Sequence, residues 1–421
     1  MESRGVPGEP GAGGRRLSFR RVAVTGLGTV SALGGDTAGL WSALAAGRSG
    51  IGPIRLADTS RLGFANGAEV SDFDPASLLS DDTVRVSDRF SQFALAAAEE
   101  AIADAGLVWT DELRARTAVV TGSCLGGQTT QDQTFERFYG QNRRRAHPLS
   151  VPRVMANAGA SLITMRHRLG GPSFTLSTAC ASSTHAIGQA FWLVRSGVAD
   201  LAIAGGSEAP FSPGHLAAWD ALRVVARDTC RPFSKDRGGM ILGEGGALLV
   251  LEPLESARDR GAEVRAEIAG FGMSADGHHL TQPTVEGPAA AMTAALADAG
   301  LDPTQVGYVN AHGTGTRAND ATEAAAIRRV FGKAADRLAV SSTKSMHGHT
   351  LGAAGALEAV ATVLALHHAL LPPTANFTEA DPECDLDVVP NAARPAAIEA
   401  ALSSSFAFGG LNAVLAFLRA P

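Results

Sequence analysis

The chain has 421 residues, 45% of them hydrophobic and 19% charged, which is enough to bury a large core and too apolar for an unfolded chain. Its formal net charge of −6 argues against bulk attraction to nucleic acid or to an anionic membrane surface. Cys124, Cys180, Cys230 and Cys384 stand far apart with no CxxC pair, so neither a disulfide framework nor a zinc site is indicated, and a reducing, cytoplasmic setting fits best.

Residues 1–20 are rich in Gly, Pro and Arg and hold no apolar h-region, so they read as a disordered tail and not as a signal peptide. Residues 21–28 form a β-type run expected to end in a glycine turn, and residues 266–272 have the same form. Residues 101–107 and 295–301 match as well, each a helix end closed by glycine and followed by a strand candidate, 117–121 and 306–310. The two matches differ in offset, so the first copy needs a surface insertion within roughly 36–89. Similarity of alanine-rich composition would explain either match alone. The common order of elements favours a duplication, with halves at 21–265 and 266–421 and strands buried between helices in a layered α/β fold. Gly26 and Gly28 do not extend to a dinucleotide-binding G-x-G-x-x-G pattern, because position 31 is Ser31. The most hydrophobic stretch, 353–371, carries Glu358, His367 and His368 and reads as a buried helix, not a membrane span.

Chemistry concentrates in three segments flanked by small residues. Cys180 lies in Ser177-Thr178-Ala179-Cys180-Ala181-Ser182-Ser183, ahead of Ala186, Ile187, Ala190, Phe191 and Val194 at helical spacing. A cysteine at a helix N-terminus gains from the dipole, which favours thiolate without a neighbouring general base. Cys124, Cys230 and Cys384 read as inert buried thiols. His312 stands between a β run and the turn Gly313-Thr314-Gly315-Thr316, and His349 precedes a small-residue helix start at Gly352. Either histidine alone is better read as structural. Together with Cys180 they suggest acyl transfer, in which neutral imidazoles donate hydrogen bonds to an oxygen that gains negative charge. Lys344 and Glu323 are candidates for an ion pair between the two histidine turns. The run 403–412 joins a strand to a tight turn where Phe408 offers a backbone N–H for an oxyanion hole, although core packing of Phe406 and Phe408 is equally compatible.

Thr178-Ala179-Cys180, Asn310 through Thr316, Ser342-Thr343-Lys344 through Gly355, and Phe406 through Asn412 together resemble the β-ketoacyl-acyl carrier protein synthases, the elongating type II and polyketide ketosynthases in particular. The resemblance implies the thiolase fold, an α/β architecture of two duplicated halves in five layers, αβαβα, and a homodimer or a heterodimer with a chain-length-factor-like subunit. It implies that Cys180 carries the acyl chain as a thioester and that the N–H groups of Cys180 and Phe408 form the oxyanion hole. His312 and His349 would bind the malonyl thioester during decarboxylation, and Lys344 with Glu323 would support the site electrostatically. Thr314 and Thr316 would hold the phosphopantetheine arm, Phe408 would act as a gate, and Leu125 with Phe406 would line the pocket. Arg85, Arg144 and Arg145 would dock the acyl carrier protein, with no metal or diffusible cofactor, and no nucleic-acid or membrane partner. The chain departs from the usual pattern at His347, Ala407 and Leu411. His347 competes with His349, which is preferred for its Gly-His-x-x-Gly-Ala-Ala-Gly context. A thiolase would need a second cysteine near Gly409-Gly410, where none stands.

Overall fold

The computed structural model describes residues 19–420. Of the tail expected at 1–20, residues 1–18 lie outside the described residues. Its last two residues are docked and not disordered. Arg20 donates its N–H to the Arg195 carbonyl at 3.0 Å and pairs with Asp200 at 2.9 Å, while Phe19 lies against the Arg195 guanidinium.

The first half comprises β1 (Val22–Ser31), α1 (Arg89–Asp104), β2 (Thr117–Gly122), α2 (Ala158–His167), β3 (Ser173–Leu176), α3 (Ser182–Arg195), β4 (Leu201–Glu208) and β5 (Gly245–Pro253). The second comprises β6 (Ala266–Ala275), α4 (Glu286–Ala299), β7 (Val306–Asn310), α5 (Arg317–Phe331), β8 (Ala339–Ser341), α6 (Ala354–His368), β9 (Ala400–Ala407) and β10 (Leu411–Arg419). The strands run in space as β8-β7-β9-β10-β6-β1-β5-β4-β2-β3. Counted outward from the centre, both halves follow the order first, fifth, fourth, second, third. Shared composition cannot produce an identical strand order, so the repeats are a duplication of structure. The halves join where β1 and β6 pair antiparallel, Val22 with Ile268 and Val24 with Ala266.

Helices α1 and α2 cover the outer face of the first sheet, α4 and α5 that of the second, and α3 packs against α6 between them, which makes five layers. Helix α6 with its lead-in turn, Leu351–His368, has the length and mean hydropathy, 1.3, of a membrane span, but 89% of it is buried inside the protein. Its Leu357, Val360, Val363 and Leu366 are fully buried, each contributing about 1.5–3 kcal/mol at most. The expected insertion is present between β1 and α1 and carries the helix Thr37–Ala45, whereas β6 and α4 are separated only by residues 276–285.

A further sequence expectation fails. The glycines at 26, 28, 270 and 272 lie inside β1 and β6 and not in turns. They are there because a helix backbone crosses each strand at close range: a Cβ on Gly28 would fall 2.0 Å from the Ala97 carbonyl oxygen, and one on Gly272 would fall 2.1 Å from that of Ala291. Backbone cannot yield as a side chain tip can, so Gly28→Val must push α1 off the sheet. The cost is expected at about 3 kcal/mol or more. A thermal melt that matches wild type would refute this reading of the strand glycines.

Candidate active site

The route to Cys180 begins at β3, which ends at Leu176, while α3 starts at Ser182. The connection is a tight elbow. Ala179 takes φ +48, the left-handed region that costs a residue with a side chain, and Ser182 Oγ accepts from Thr178 N–H at 2.9 Å and donates to the Ala179 carbonyl at 2.6 Å. Cys180 therefore precedes the first turn of α3 and does not cap it, which weakens the dipole effect expected from sequence. Burial pushes the thiol up to about 11 despite the opposing pull of Lys344 and of the N–H groups of Cys180 and Phe408. The expectation of a thiolate favoured at rest is thus corrected: the elbow buries the sulfur, and desolvation outweighs the dipole.

His349 stands beside it, with Nε2 at 3.1 Å from Cys180 Sγ. Its Nδ1 accepts the Leu351 N–H at 3.2 Å, which leaves the proton on Nε2, directed at the sulfur. The His312 ring meets that of His349 edge to face at 5.4 Å between centroids, and Phe406 packs on His312 at 6.1 Å. Burial first, then the nearby Lys344 charge, holds both imidazoles well below the usual histidine range, so both are neutral donors at physiological pH.

The turn that carries His312 is fixed from beneath. Both Glu323 oxygens accept backbone N–H groups, His312 at 2.7 Å and Gly313 at 2.7 Å. Gly313 takes φ +36, and a Cβ there would fall 2.5 Å from Ser342 Cβ, so the turn admits no side chain. Lys344, fully buried, donates to the His312 carbonyl at 2.6 Å and forms its ion pair with Glu358 of α6. The expected Lys344–Glu323 pair is therefore replaced, because the Glu323 oxygens are taken by the backbone. Burial pushes Glu358 and Glu323 both up to about 7, against Lys344 in the first case and the turn N–H groups in the second. The signal for Glu358 was in the sequence: a carboxylate within an apolar helix requires a buried partner.

A cavity of about 120 Å³ opens on Cys180, His312 and His349 and is lined by Thr314, Thr316, Phe406 and Phe408. Thr314 Oγ1 and Thr316 Oγ1 lie 2.9 Å apart. Phe408 sits in the turn between β9 and β10, where Gly409 N–H donates to the Leu280 carbonyl at 2.7 Å. His347 is held away from this site by Thr343 Oγ1 at 3.0 Å and the Gly348 carbonyl at 2.8 Å, and burial drops it to about 3. Leu125 packs in the adjoining apolar cluster with Phe64, Phe211 and Leu216, its N–H directed at Glu208, a buried carboxylate that sequence reading missed. Arg144 and Arg145 are exposed in a loop, and Arg85 is exposed and paired with Asp82 at 2.5 Å.

Cys180 Sγ and one ring nitrogen of each histidine lie within 4.8 Å of one another, donors that suit a soft divalent ion. Ligation by His349 would require the other tautomer, since its Nδ1 accepts the Leu351 N–H and its N–H faces the sulfur. With the thiol pushed up to about 11, alkylation of Cys180 by iodoacetamide should quicken close to tenfold per pH unit from 7 to 9 without levelling. A plateau near neutral pH would mean a resting thiolate instead.

Residues 19–257 match the family described as beta-ketoacyl synthase, N-terminal domain, and residues 265–378 match its C-terminal domain. Nodulation protein E of Rhizobium sp. (strain N33) is 48% identical over 398 residues, 94% of this chain and 99% of that protein. The 3-oxoacyl-[acyl-carrier-protein] synthase 2 of Coxiella burnetii (strain RSA 493 / Nine Mile phase I) is 42% identical over 411 residues, 96% of this chain and 99% of that protein. Among solved structures, the ishigamide ketosynthase/chain length factor superposes with a TM-score of 0.91 at 38% identity, covering 96% of this chain and all of that one. A doubled five-layer fold, an elbow cysteine between two neutral imidazoles, and matches across both halves lead to one conclusion: the chain belongs to the β-ketoacyl synthases, acyl-transferring enzymes that form carbon–carbon bonds.

Proposed function

We propose that Cys180 carries a growing acyl group and that the chain condenses it, with loss of carbon dioxide, with a malonyl unit held on an acyl carrier protein. The observation that carries this reading is the convergence of Cys180 with two buried neutral imidazoles on one cavity. In the first step the Cys180 sulfur attacks the carrier thioester carbonyl, the bond to the phosphopantetheine sulfur breaks, and that thiol leaves with the Cys180 proton. The N–H groups of Cys180 and Phe408, both directed at Sγ, suit the oxyanion of this step. In the second, His312 and His349 donate to the malonyl thioester oxygen, the bond to the carboxylate breaks, and its electron pair remains as an enolate. In the third, the enolate carbon attacks the acyl carbonyl, and Cys180 departs as thiolate and takes up a proton.

Lys344 and Glu323 act as positioning residues through the His312 turn. Thr314 and Thr316 suit the arm, and Phe408 the gate between arm and acyl pocket. The sequence is redox-neutral and holds its anion by hydrogen bonds, so it calls for neither metal nor diffusible cofactor. Arg144 and Arg145, with Arg85, offer positive charge to an acidic carrier surface. A second ketosynthase-like subunit, identical or of the chain-length-factor type, suits the free edge of β3, where Phe174 is exposed, and the exposed Phe135, Phe138, Tyr139 and Val151 nearby in sequence. The departures at His347, Ala407 and Leu411 favour a specialised acyl product over bulk fatty acid, and four free thiols suit the cytoplasm.

Intact-protein mass spectrometry with acyl carrier proteins, then malonyl carrier protein, tests this on the chain alone and with a chain-length-factor-like partner. An adduct on Cys180 that disappears as product forms is expected. Cys180→Ala should lower condensation by roughly a thousandfold or more with the fold intact, and full activity in that variant would end the proposal. His312→Ala and His349→Ala should each slow decarboxylation by about 10²–10³ and acyl transfer to Cys180 less. An adduct only in the presence of the partner would establish the obligate heterodimer.

The carrier-docking reading is tested separately. Arg144→Glu with Arg145→Glu should raise KM for the carrier protein and flatten its salt dependence while leaving turnover of a small pantetheine thioester unchanged. Unchanged carrier kinetics would exclude these arginines.

A further inference from the structure

Between β4 and β5 the first half inserts the helix Pro213–Leu222, where the second half has only the short turn containing Phe408. Trp219 projects from this helix into the wall of the cavity that holds Cys180 and is 8% exposed. One turn earlier, on the same face, His215 Nε2 accepts the indole N–H at 2.6 Å, with the two rings edge to face. Burial pushes His215 down to about 4 against the pull of Asp132, so it is neutral and its Nε2 is free to accept. The helix start is tied in turn, Gly214 N–H donating to Asp132 at 2.8 Å. The indole thus has one orientation.

In that orientation it lies nearly parallel to the ring of Phe408, 6.3 Å between centroids and 24° between planes. Trp219 belongs to an apolar cluster with Phe64, Phe211, Leu216 and Leu242, against which Phe408 and Leu125 both pack. Trp219 lines the cavity that opens on Cys180 and belongs to this cluster, so an acyl chain extended from Cys180 toward the cluster packs against the indole. A short chain leaves the stacked pair undisturbed, and a long one is obstructed by it.

We propose that Trp219, locked by His215, is a specificity-determining residue that sets the length of the acyl chain accepted on Cys180. This rests on the reading of Cys180 as the acyl carrier. The experiment is a competition between short and long saturated acyl carrier proteins for Cys180, read by intact mass on wild type, Trp219→Ala and His215→Leu. Trp219→Ala should raise the ratio of long to short adduct by roughly tenfold or more, and His215→Leu should raise it by less, since the indole remains but loses its anchor. Trp219→Met carries the same comparison if the alanine variant does not fold. A ratio unchanged within about twofold in variants that still acylate overturns the proposal. Absence of any adduct on wild type, with or without the partner, instead overturns the reading of Cys180.

Discussion

Everything at the site depends on the packing of α3 against α6 in the central layer. The two helices occupy equivalent places in the duplicated halves, each lying between the third and fourth strands of its half. Cys180 leads into α3 and His349 leads into α6, so burying the helices against each other brings thiol and imidazole to 3.1 Å. His312 follows β7 and Phe408 follows β9, strand ends that open on the same cavity. A single hydrophobic contact between repeats therefore assembles a site that neither half contains alone. This agrees with the general tendency of α/β folds to build sites at strand ends.

The same burial sets the electrostatics. Desolvation raises the thiol, lowers both imidazoles and raises Glu323 and Glu358, in each case favouring the neutral form. Among these groups Lys344 is held in place by Glu358 and the His312 carbonyl. Removing one partner of such a pair leaves a buried charge and costs about 3–5 kcal/mol, which makes Glu358 as necessary to the His312 turn as Lys344 itself. A buried site with neutral donors suits chemistry in which negative charge appears on oxygen and then moves on.

The insertions distinguish the two halves and make the pocket unequal. The second half closes β9 to β10 with a turn, and that turn supplies Phe408. The first half spends the equivalent connection on a helix, and that helix supplies Trp219. The stacked pair across the cavity is thus formed by the same connection in both repeats, one short and one long.

The local signals were legible in the chain: the strand and helix repeats, the insertion between β1 and α1, the burial of α6, and the three small-residue turns with Cys180, His312 and His349. These are carried by neighbours in the chain, and their periodicity or spacing suffices. Whatever depends on contact between distant segments was settled by the fold. Whether Gly28 serves a turn or a helix crossing is set by the Ala97 carbonyl. Which carboxylate meets Lys344 follows from Glu323 being consumed by the backbone. The resting state of Cys180 is decided by desolvation, which depends on how deeply the elbow sinks between two halves and which no single segment encodes.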